Sequence, residues 1–209
     1  MINIDFNKIY HTKSYGDFKI IENLGYINGD SRLWVKIKFL TTGYERIIRQ
    51  DHLYRPNLDI QDPYYPRIFG CACMGEGVGA RDEYKPDYDR WLKMVSRCRN
   101  EEDKDYPRYG LIGVDVDEEW LTFANYYHDI KELPGYRFKQ AYPQKFQLDK
   151  DYLQYDVPPE EKIYSKDTCI WAEKSINSKM TKTNTHEIPE IDYVDRQGNP
   201  KRMTMCKII

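Results

Sequence analysis

The sequence predicts an α+β protein made of several small modules, and three patterns along the chain indicate this. Residues 16–50 alternate between apolar and polar side chains, as the strands of a half-buried antiparallel sheet do. Residues 54–87 are rich in Pro, Gly, Tyr and Asp, which is typical of irregular structure. From Tyr88 onward, apolar residues recur at helical spacing. We therefore expect a small β module at 1–53, an irregular linker at 54–87, an α+β module at 88–180 and a polar extension at 181–209.

The first module is predicted to be an antiparallel sheet of three strands. The first strand covers residues 18–22, and Gly29 and Gly43 lie in the two turns that follow, because glycine adopts turn conformations at little steric cost. The central strand, 33–39, alternates strictly, and one of its faces carries Leu33, Val35, Ile37 and Phe39. Its other face carries Trp34, Lys36 and Lys38. The third strand covers residues 44–49.

Two helices are predicted in the α+β module. The first begins at Pro86–Asp87, and its apolar face consists of Tyr88, Trp91, Met94, Val95 and Cys98. The second begins at Glu118–Glu119, where acidic side chains suit the positive end of the helix dipole, and ends at Pro134–Gly135. Its apolar stripe consists of Trp120, Phe123, Tyr127 and Ile130. The bulky aromatic residues Trp91, Trp120, Phe123 and Trp171 are expected in the core.

Three further elements complete the predicted fold. Residues 146–149 and 162–164 are expected to pair as a short hairpin around Pro158–Pro159. A last helix is expected to begin at Ser165 or Asp167 and to reach Asn177. A C-terminal hairpin is expected within the polar extension, at residues 192–205.

Composition excludes several classes of protein. With 40% hydrophobic residues, 19 Tyr, 7 Phe and 4 Trp, the chain has the large apolar side chains that an ordered core needs. A net charge of -2 excludes a uniformly basic chain, so any DNA contact has to come from local clusters. There is no secretory leader, no apolar run near the ~20 residues of a membrane span, and no even cysteine framework. We expect a reduced, cytoplasmic protein that is not inserted in a membrane.

Two local clusters of basic residues are the candidates for DNA contact. The first lies on one face of the first predicted helix, within a stretch that lacks acidic residues, and consists of Arg90, Lys93 and Arg97, with Arg99 close by. The second lies beside Trp34 on the open face of the first sheet and consists of Lys36 and Lys38. Phosphate contacts require only such local positive charge. The alternative is that these side chains simply solvate exposed surfaces.

Five short motifs follow one another in a fixed order between Tyr88 and Asn177. They are YDRW at 88–91, YGLIG at 109–113, EWLTF at 119–123, LDKD at 148–151 and YSKDTCIW at 164–171. In order and spacing they resemble the core of bacteriophage proteins of the HNH homing-endonuclease-like family. The resemblance implies double-stranded DNA as partner, the cytoplasm of an infected bacterium as compartment, and a ββα-like unit that holds one divalent metal for phosphodiester cleavage.

The chain departs from this family at the residues that carry the chemistry. No histidine lies between His128 and His186, so the general base of the hairpin is missing, and Thr168 occupies the asparagine position. We therefore expect cleavage to be weak, altered or lost. Asp149 and Asp151 are the candidate catalytic residues and the candidate Mg²⁺ ligands, because carboxylates are hard oxygen donors. The alternative for this pair is the solvated start of a hairpin.

Members of the family also carry two cysteine motifs, which imply a zinc site with four thiolate ligands. This chain keeps Cys71 and Cys73 at the second motif, but residues 39–43, at the first, contain no thiol. Two thiolates cannot close a tetrahedral site, so no zinc is expected.

Two hypotheses for function remain. The first is a DNA-binding protein that resembles HNH homing endonucleases and has little cleavage activity. The second is a non-catalytic module that binds a host or phage protein, for example as an inhibitor of a defence system, because tyrosine is enriched at protein interfaces. Salt separates the two hypotheses, since binding to phosphates weakens steeply as the salt concentration rises.

Overall fold

The computed structural model describes residues 4–27, 29–55, 59–78, 84–175, 190–194 and 200–204, the last two segments as backbone only. The chain forms two compact units, the first of residues 1–84 with 122–124 and the second of residues 85–121 with 125–209. The α+β prediction is confirmed, with a small antiparallel sheet near the N-terminus and a hairpin near the C-terminus. Among the described residues, no helix combines the length and the apolar character that crossing a bilayer requires.

The first unit is built on a four-stranded antiparallel sheet. Its strands are β1 (Ile9–His11), β2 (Asp17–Tyr26), β3 (Leu33–Phe39) and β4 (Glu45–Arg49), in that order across the sheet. The predicted three strands are present, and β1 adds a short edge strand that pairs with the start of β2. A 3₁₀ segment, Gln50–Tyr54, follows β4 directly.

The core of the first unit confirms the alternation predicted for β3. Val35, Ile37 and Phe39 are at most 1% exposed, and Phe18 and Ile20 of β2 pack beside them. Burial of side chains of this size stabilises the folded state by about 1.5–3 kcal/mol each. Because side chains alternate along a strand, the intervening residues of β3 form the open face of the sheet. The open face carries Trp34, Lys36 and Lys38, the predicted DNA contacts of this unit.

Part of the predicted linker is packed into the first unit. Residues 59–78 contain no helix or named strand, but Ile60, Asp62 and Ala72 are buried. The Asp62 carboxylate accepts hydrogen bonds from the Thr42 hydroxyl at 2.5 Å and from the backbone N–H of Tyr64 at 2.9 Å. These contacts hold the irregular segment against the sheet.

Tryptophan side chains organise the second unit. Its helices are α1 (Lys85–Arg99), α2 (Phe123–Asp129), which begins in the first unit, and α3 (Tyr136–Ala141). Trp91 donates its indole N–H to the Trp120 carbonyl at 2.7 Å, and Trp171 donates to the Ile130 carbonyl at 2.8 Å. Trp91, Trp120, Phe123 and Trp171 are at most 3% exposed, so the predicted core positions are confirmed.

The second predicted helix differs in detail from the structure. Residues Glu118–Leu121 form a 3₁₀ turn, and α2 begins only at Phe123. A 3₁₀ turn has three residues per turn instead of 3.6, so the face that follows it is rotated. Tyr126 is therefore fully buried in place of Tyr127.

Two predicted elements of this unit are wrong. Strand β6 (Phe146–Asp149) pairs antiparallel with β8 (Ile170–Glu173), whereas β7 (Ile163–Tyr164) pairs parallel with β5 (Asp115–Val116). The region predicted as the last helix is thus the strand β8. Its residues Ile170–Ala172 are all buried, which suits a strand covered on both faces. Helical backbone appears at residues 174–175, and the chain to Asn177 lies outside the described residues.

Side-chain contacts explain why the predicted hairpin does not form. Gln154 donates to the carbonyls of Lys150 and Ile163 and accepts from the N–H of Ile163, so the intervening loop closes on itself. Thr168 donates to the Ile163 carbonyl at 2.7 Å and ties the next turn to β7. The predicted C-terminal hairpin is confirmed as β9 (Glu190–Val194) paired with β10 (Pro200–Thr204).

Candidate nucleic-acid interface

The predicted cation Arg90 is used inside the second unit. Its guanidinium contacts the Asp87 carboxylate at 2.5 Å and lies 4.8 Å from the ring centroid of Trp171. Lys139 of α3 contacts the same carboxylate at 3.3 Å and lies 5.0 Å from the same ring. Asp87 is itself only 8% exposed. Arg90 therefore joins α1 to α3 and β8, which leaves little of its charge for a ligand.

Arg97, the second predicted cation, is largely buried between two aromatic rings. Its guanidinium lies 4.4 Å from the ring centroid of Tyr109 and 4.9 Å from that of Tyr164. Its Nη2 donates to the Tyr164 hydroxyl at 2.5 Å, and its buried Nε has no hydrogen-bond partner among the described residues. The ammonium group of Lys150 lies against the same two rings, at 5.7 and 5.4 Å. Arg97 is a packing element of the core.

The other two cations of α1 differ from each other. Arg99 bonds the Asp115 carboxylate and contacts Glu118 at 3.2 Å, so two acidic groups offset its charge. Lys93 is exposed. Residues 84–175 as a whole carry fifteen Lys and Arg against nineteen Asp and Glu. The structure therefore does not gather the predicted basic face of α1 into one cationic surface.

Asp149 and Asp151, the predicted catalytic pair, lie at the end of β6 in different surroundings. Asp149 is 4% exposed and accepts a hydrogen bond from the backbone N–H of Tyr152 at 2.8 Å; burial raises the pKa of its carboxyl group. Asp151 accepts from the ammonium groups of Lys150 at 2.7 Å and Lys162 at 2.9 Å. Burial opposes ionisation of Asp151, but these two hydrogen bonds lower its pKa overall. Both carboxylates have structural partners, and their role as Mg²⁺ ligands stays a prediction.

Cys71, Cys73 and His128 each have their own surroundings in the structure. In the part of the chain that the structure describes, no three His, Cys, Asp or Glu side chains converge as a metal site requires. Cys73 is buried, with its Sγ 3.4 Å from the Thr122 hydroxyl, and Cys71 is partly exposed. His128 is exposed at the end of α2. That the protein holds no zinc also stays a prediction.

Lys36 and Lys38 lie where the sequence places them, on the open face of the first sheet. Glu45 of β4 receives both ammonium groups, that of Lys36 at 2.6 Å and that of Lys38 at 3.2 Å. One carboxylate therefore serves two cations, so a positive charge remains. Trp34 continues the same face of β3.

A groove that the sequence interpretation missed lies at the β4 edge of this sheet. It has a cavity volume of about 560 Å³ and is lined by four basic side chains, Arg46, Arg49, His52 and Arg55. We call it the arginine groove. Its apolar lining is Trp34, Ile47, Ile48 and Ile60, and its remaining lining residues are Asp59 and Gln61.

Contacts within the arginine groove leave much of its positive charge available. Arg49 and Arg55 share one carboxylate, that of Asp51, at 3.1 and 3.6 Å. Arg46 donates to the Gln61 carbonyl at 3.1 Å and contributes a further charge. Partial burial lowers the pKa of His52, and Arg55, Arg49 and Arg46 lower it further against the opposing effect of Asp51. Burial and the three guanidinium groups therefore both favour the neutral imidazole, and the positive charge of the groove comes from its arginines.

A signal for the groove exists in the sequence. Basic residues recur at every third position from Arg46 to Arg55, which are Arg46, Arg49, His52 and Arg55. The spacing does not fit a strand, in which alternate residues share a face. The four residues line one groove because the chain changes from the strand β4 into the 3₁₀ segment Gln50–Tyr54, so residues of both elements and of the stretch after them border the same space.

Comparison of the chain with protein-family models, with curated proteins and with solved structures finds no match.

Proposed function

We propose that this chain is a phage-encoded DNA-binding protein whose first unit contacts the phosphate backbone. The ordered motifs between Tyr88 and Asn177 support the choice of DNA, because they resemble HNH homing-endonuclease-like proteins. Cleavage by this copy is weak, altered or lost, since the residues that would supply a general base are replaced. The single observation that carries the proposal is the cationic surface of the first sheet.

This surface extends along two neighbouring strands and the segment after them. We call it the cationic strip, and it consists of Lys36, Lys38, Arg49 and Arg55. Its four cations are paired with two carboxylates, Lys36 and Lys38 with Glu45 and Arg49 and Arg55 with Asp51. Lys36 and Lys38 are two residues apart on one strand, a separation of roughly 6.6 Å, which is close to two base-pair steps of about 3.4 Å along a DNA strand. Duplex phosphates therefore match the spacing and the sign of the strip.

The second unit is a poorer candidate for the main contact. Two of its predicted cations pack on aromatic rings, and a third is paired with carboxylates. Acidic residues outnumber basic ones in residues 84–175, which repels a polyanion at long range. Lys93 remains an exposed contact that could add to binding by the first unit.

A salt titration tests the proposal. The affinity of the purified chain for a labelled duplex is measured by fluorescence anisotropy over a range of KCl concentrations, for wild type and for the double variant Lys36→Ala/Lys38→Ala. Each phosphate contact that is lost lowers the slope of log K against log salt by about 1, so the double variant should lose ~1–2 units of slope. Lys36 and Lys38 lie on the open face, and the core of the sheet is left intact.

Two further variants make the result specific. Lys13→Ala/Arg137→Ala removes the same number of exposed cations elsewhere and should leave the slope unchanged. Glu45→Gln removes the carboxylate that Lys36 and Lys38 share and should strengthen binding. Equal loss of slope in both double variants would contradict the proposal. Absence of duplex binding by wild type, together with salt-insensitive binding to a host or phage protein, would favour the protein-binding hypothesis.

A further inference from the structure

We propose that the arginine groove receives one unpaired nucleotide, with its phosphate at the arginines and its base against the apolar lining. The inference deepens the proposed DNA binding, because it names the part of the nucleic acid that this site takes. It concerns the groove residues alone, whereas Lys36 and Lys38 of the cationic strip lie outside the groove.

The basic side of the groove has unused hydrogen-bond donors. A guanidinium carries five N–H donors in a planar fork. Arg46 spends one of them on the Gln61 carbonyl, and Arg55 makes only a 3.6 Å contact with Asp51. Arg55 is 54% exposed at its side chain, so it can turn toward a ligand. Two or three guanidinium groups that face one space are the arrangement that binds a phosphate through paired hydrogen bonds.

The apolar lining of the groove includes an aromatic ring. Trp34 and Ile47 line the groove from neighbouring strands, and Ile48 and Ile60 are the buried residues beneath. Ile47 is 49% exposed although it is a large apolar side chain on an edge strand. Aromatic side chains beside basic ones are the usual platform for single-stranded nucleic acids, because every base has a face that can stack. A free phosphate or sulfate has no use for this apolar lining.

The polar end of the groove and its size complete the match to a nucleotide. Asp59 and Gln61 provide oxygen acceptors suited to the amino groups of bases or to sugar hydroxyls. The volume of about 560 Å³ lies within the range of small-ligand sites, about 300–1,000 Å³. A paired base is stacked on both faces and cannot enter such a space. The occupant is therefore an unpaired nucleotide unit.

This chemistry has two sources, a free nucleoside monophosphate and an unpaired nucleotide within a DNA strand. Binding of dAMP is measured by isothermal titration calorimetry, and binding of a short single-stranded oligonucleotide by anisotropy. A duplex of the same sequence and inorganic phosphate serve as comparisons. Inorganic phosphate should compete at least tenfold more weakly than dAMP.

The test variants are Arg46→Gln/Arg55→Gln and Trp34→Ala. The two arginines are exposed, so their replacement spares the core, and thermal unfolding checks that Trp34→Ala still folds. Trp34→Ala should weaken single-strand binding at least tenfold while it weakens duplex binding no more than about threefold. Arg46→Gln/Arg55→Gln also removes a cation of the strip, so it should weaken both kinds of DNA, and it should lower the affinity for dAMP at least tenfold. The matched control Lys36→Ala/Lys38→Ala should weaken both kinds of DNA to a similar extent.

The outcomes separate this inference from the proposed DNA binding. Single-strand binding with no dAMP binding assigns the site to nucleotides within a strand, and dAMP binding without any DNA binding assigns it to free nucleotides; both outcomes support the inference. Duplex binding that depends on Lys36 and Lys38, combined with single-strand and dAMP binding that the groove variants leave unchanged, overturns the inference and retains the proposed function. A wild-type protein that binds neither single strand nor dAMP overturns it as well.

Discussion

Trp34 of β3 and Arg49 of β4 lie directly opposite each other in the first sheet. Side chains of such a pair leave the sheet on the same face, with Cβ atoms about 4.5–5.5 Å apart. The antiparallel register thus brings an indole and a guanidinium together at the mouth of the arginine groove. Lys36 of β3 lies opposite Ile47 of β4 in the same register. Each of these two cross-strand pairs therefore joins one cationic and one apolar side chain on the open face.

The position of His52 predicts that binding of an anion is coupled to proton uptake. In the free protein burial, together with Arg55, Arg49 and Arg46, lowers the pKa of His52 and favours the neutral imidazole, while Asp51 opposes this. A phosphate in the groove favours the charged form and raises that pKa. The complex therefore holds more protons than the free protein, so affinity should rise as the pH falls through the range near and below 6.5.

The affinity for single-stranded DNA at several pH values between about 5.5 and 8 measures this coupling. His52→Asn should flatten the dependence and leave the affinity at pH 8 within about threefold of wild type. His11→Asn is the matched control, because His11 is exposed at the end of β1 and does not line the groove. An unchanged pH dependence in His52→Asn would show that His52 takes no part in binding.

Arg97 is predicted to stabilise the fold, which distinguishes it from its helical neighbour Lys93. Arg97→Ala removes a guanidinium that is packed between Tyr109 and Tyr164 and leaves the Tyr164 hydroxyl without its donor. We expect a loss of roughly 2–3 kcal/mol in the free energy of unfolding. Lys93→Ala should change it by less than about 0.5 kcal/mol, since Lys93 is exposed. Urea denaturation of both variants measures the difference, and equal stabilities would contradict the packing role.

Asp149 and Asp151 are predicted to respond in opposite ways to replacement by Asn. The folded-state pKa of Asp151 is below its unfolded value, so its charge stabilises the fold above the unfolded pKa, and this is lost as the pH falls through the folded pKa. Asp151→Asn should cost about 1–2 kcal/mol at pH 7, a modest amount because the side chain is 37% exposed and screened. It should also reduce the loss of stability in acid.

For Asp149 the effect of ionisation on the stability of the fold has the opposite sign. Burial raises its folded-state pKa above the unfolded value, so ionisation at neutral pH opposes folding. Asp149→Asn keeps an oxygen that accepts the Tyr152 N–H and removes the buried charge, so stability at pH 7 should be unchanged or higher. Thermal unfolding at pH 7 and pH 4 checks both variants. If Mg²⁺ raises the unfolding temperature of wild type but of neither variant, the pair is a metal site after all.

Cleavage is predicted to be slow at most. Between His128 and His186 the chain has no imidazole, and a well-placed general base contributes about 10²–10⁴-fold to the rate. A plasmid-nicking assay with Mg²⁺ or Mn²⁺ should therefore show little product, and any product should disappear in Asp149→Ala or Asp151→Ala. Rapid cleavage that survives both substitutions would place the active site elsewhere, with His128 the first residue to replace.

The features that the sequence predicted correctly depend on local periodicity. The strict alternation in β3 determines which side chains face the core, because the period of a strand is two. The burial of Trp91 and Met94 on α1 followed from helical spacing in the same way. The C-terminal hairpin followed from turn residues between two short polar strands.

The features that the sequence did not predict depend on distant parts of the chain. Helical periodicity places Arg90 and Arg97 on one face, but it does not show that Trp171 and Tyr164 return to cover that face. The pairing of β6 with β8 depends on a loop closed by the side chain of Gln154. The arginine groove combines a strand, a 3₁₀ segment and an irregular stretch, so no single period describes it.

The most direct test of DNA binding by the first unit is to map where DNA touches the chain. A duplex with a short single-stranded overhang, substituted with 5-bromodeoxyuridine, is photo-cross-linked to wild-type protein, and the modified peptides are identified by mass spectrometry. We expect cross-links within residues 33–61, which contain the cationic strip and the arginine groove. Cross-links confined to residues 84–175 would contradict it and return the DNA contact to the helical unit.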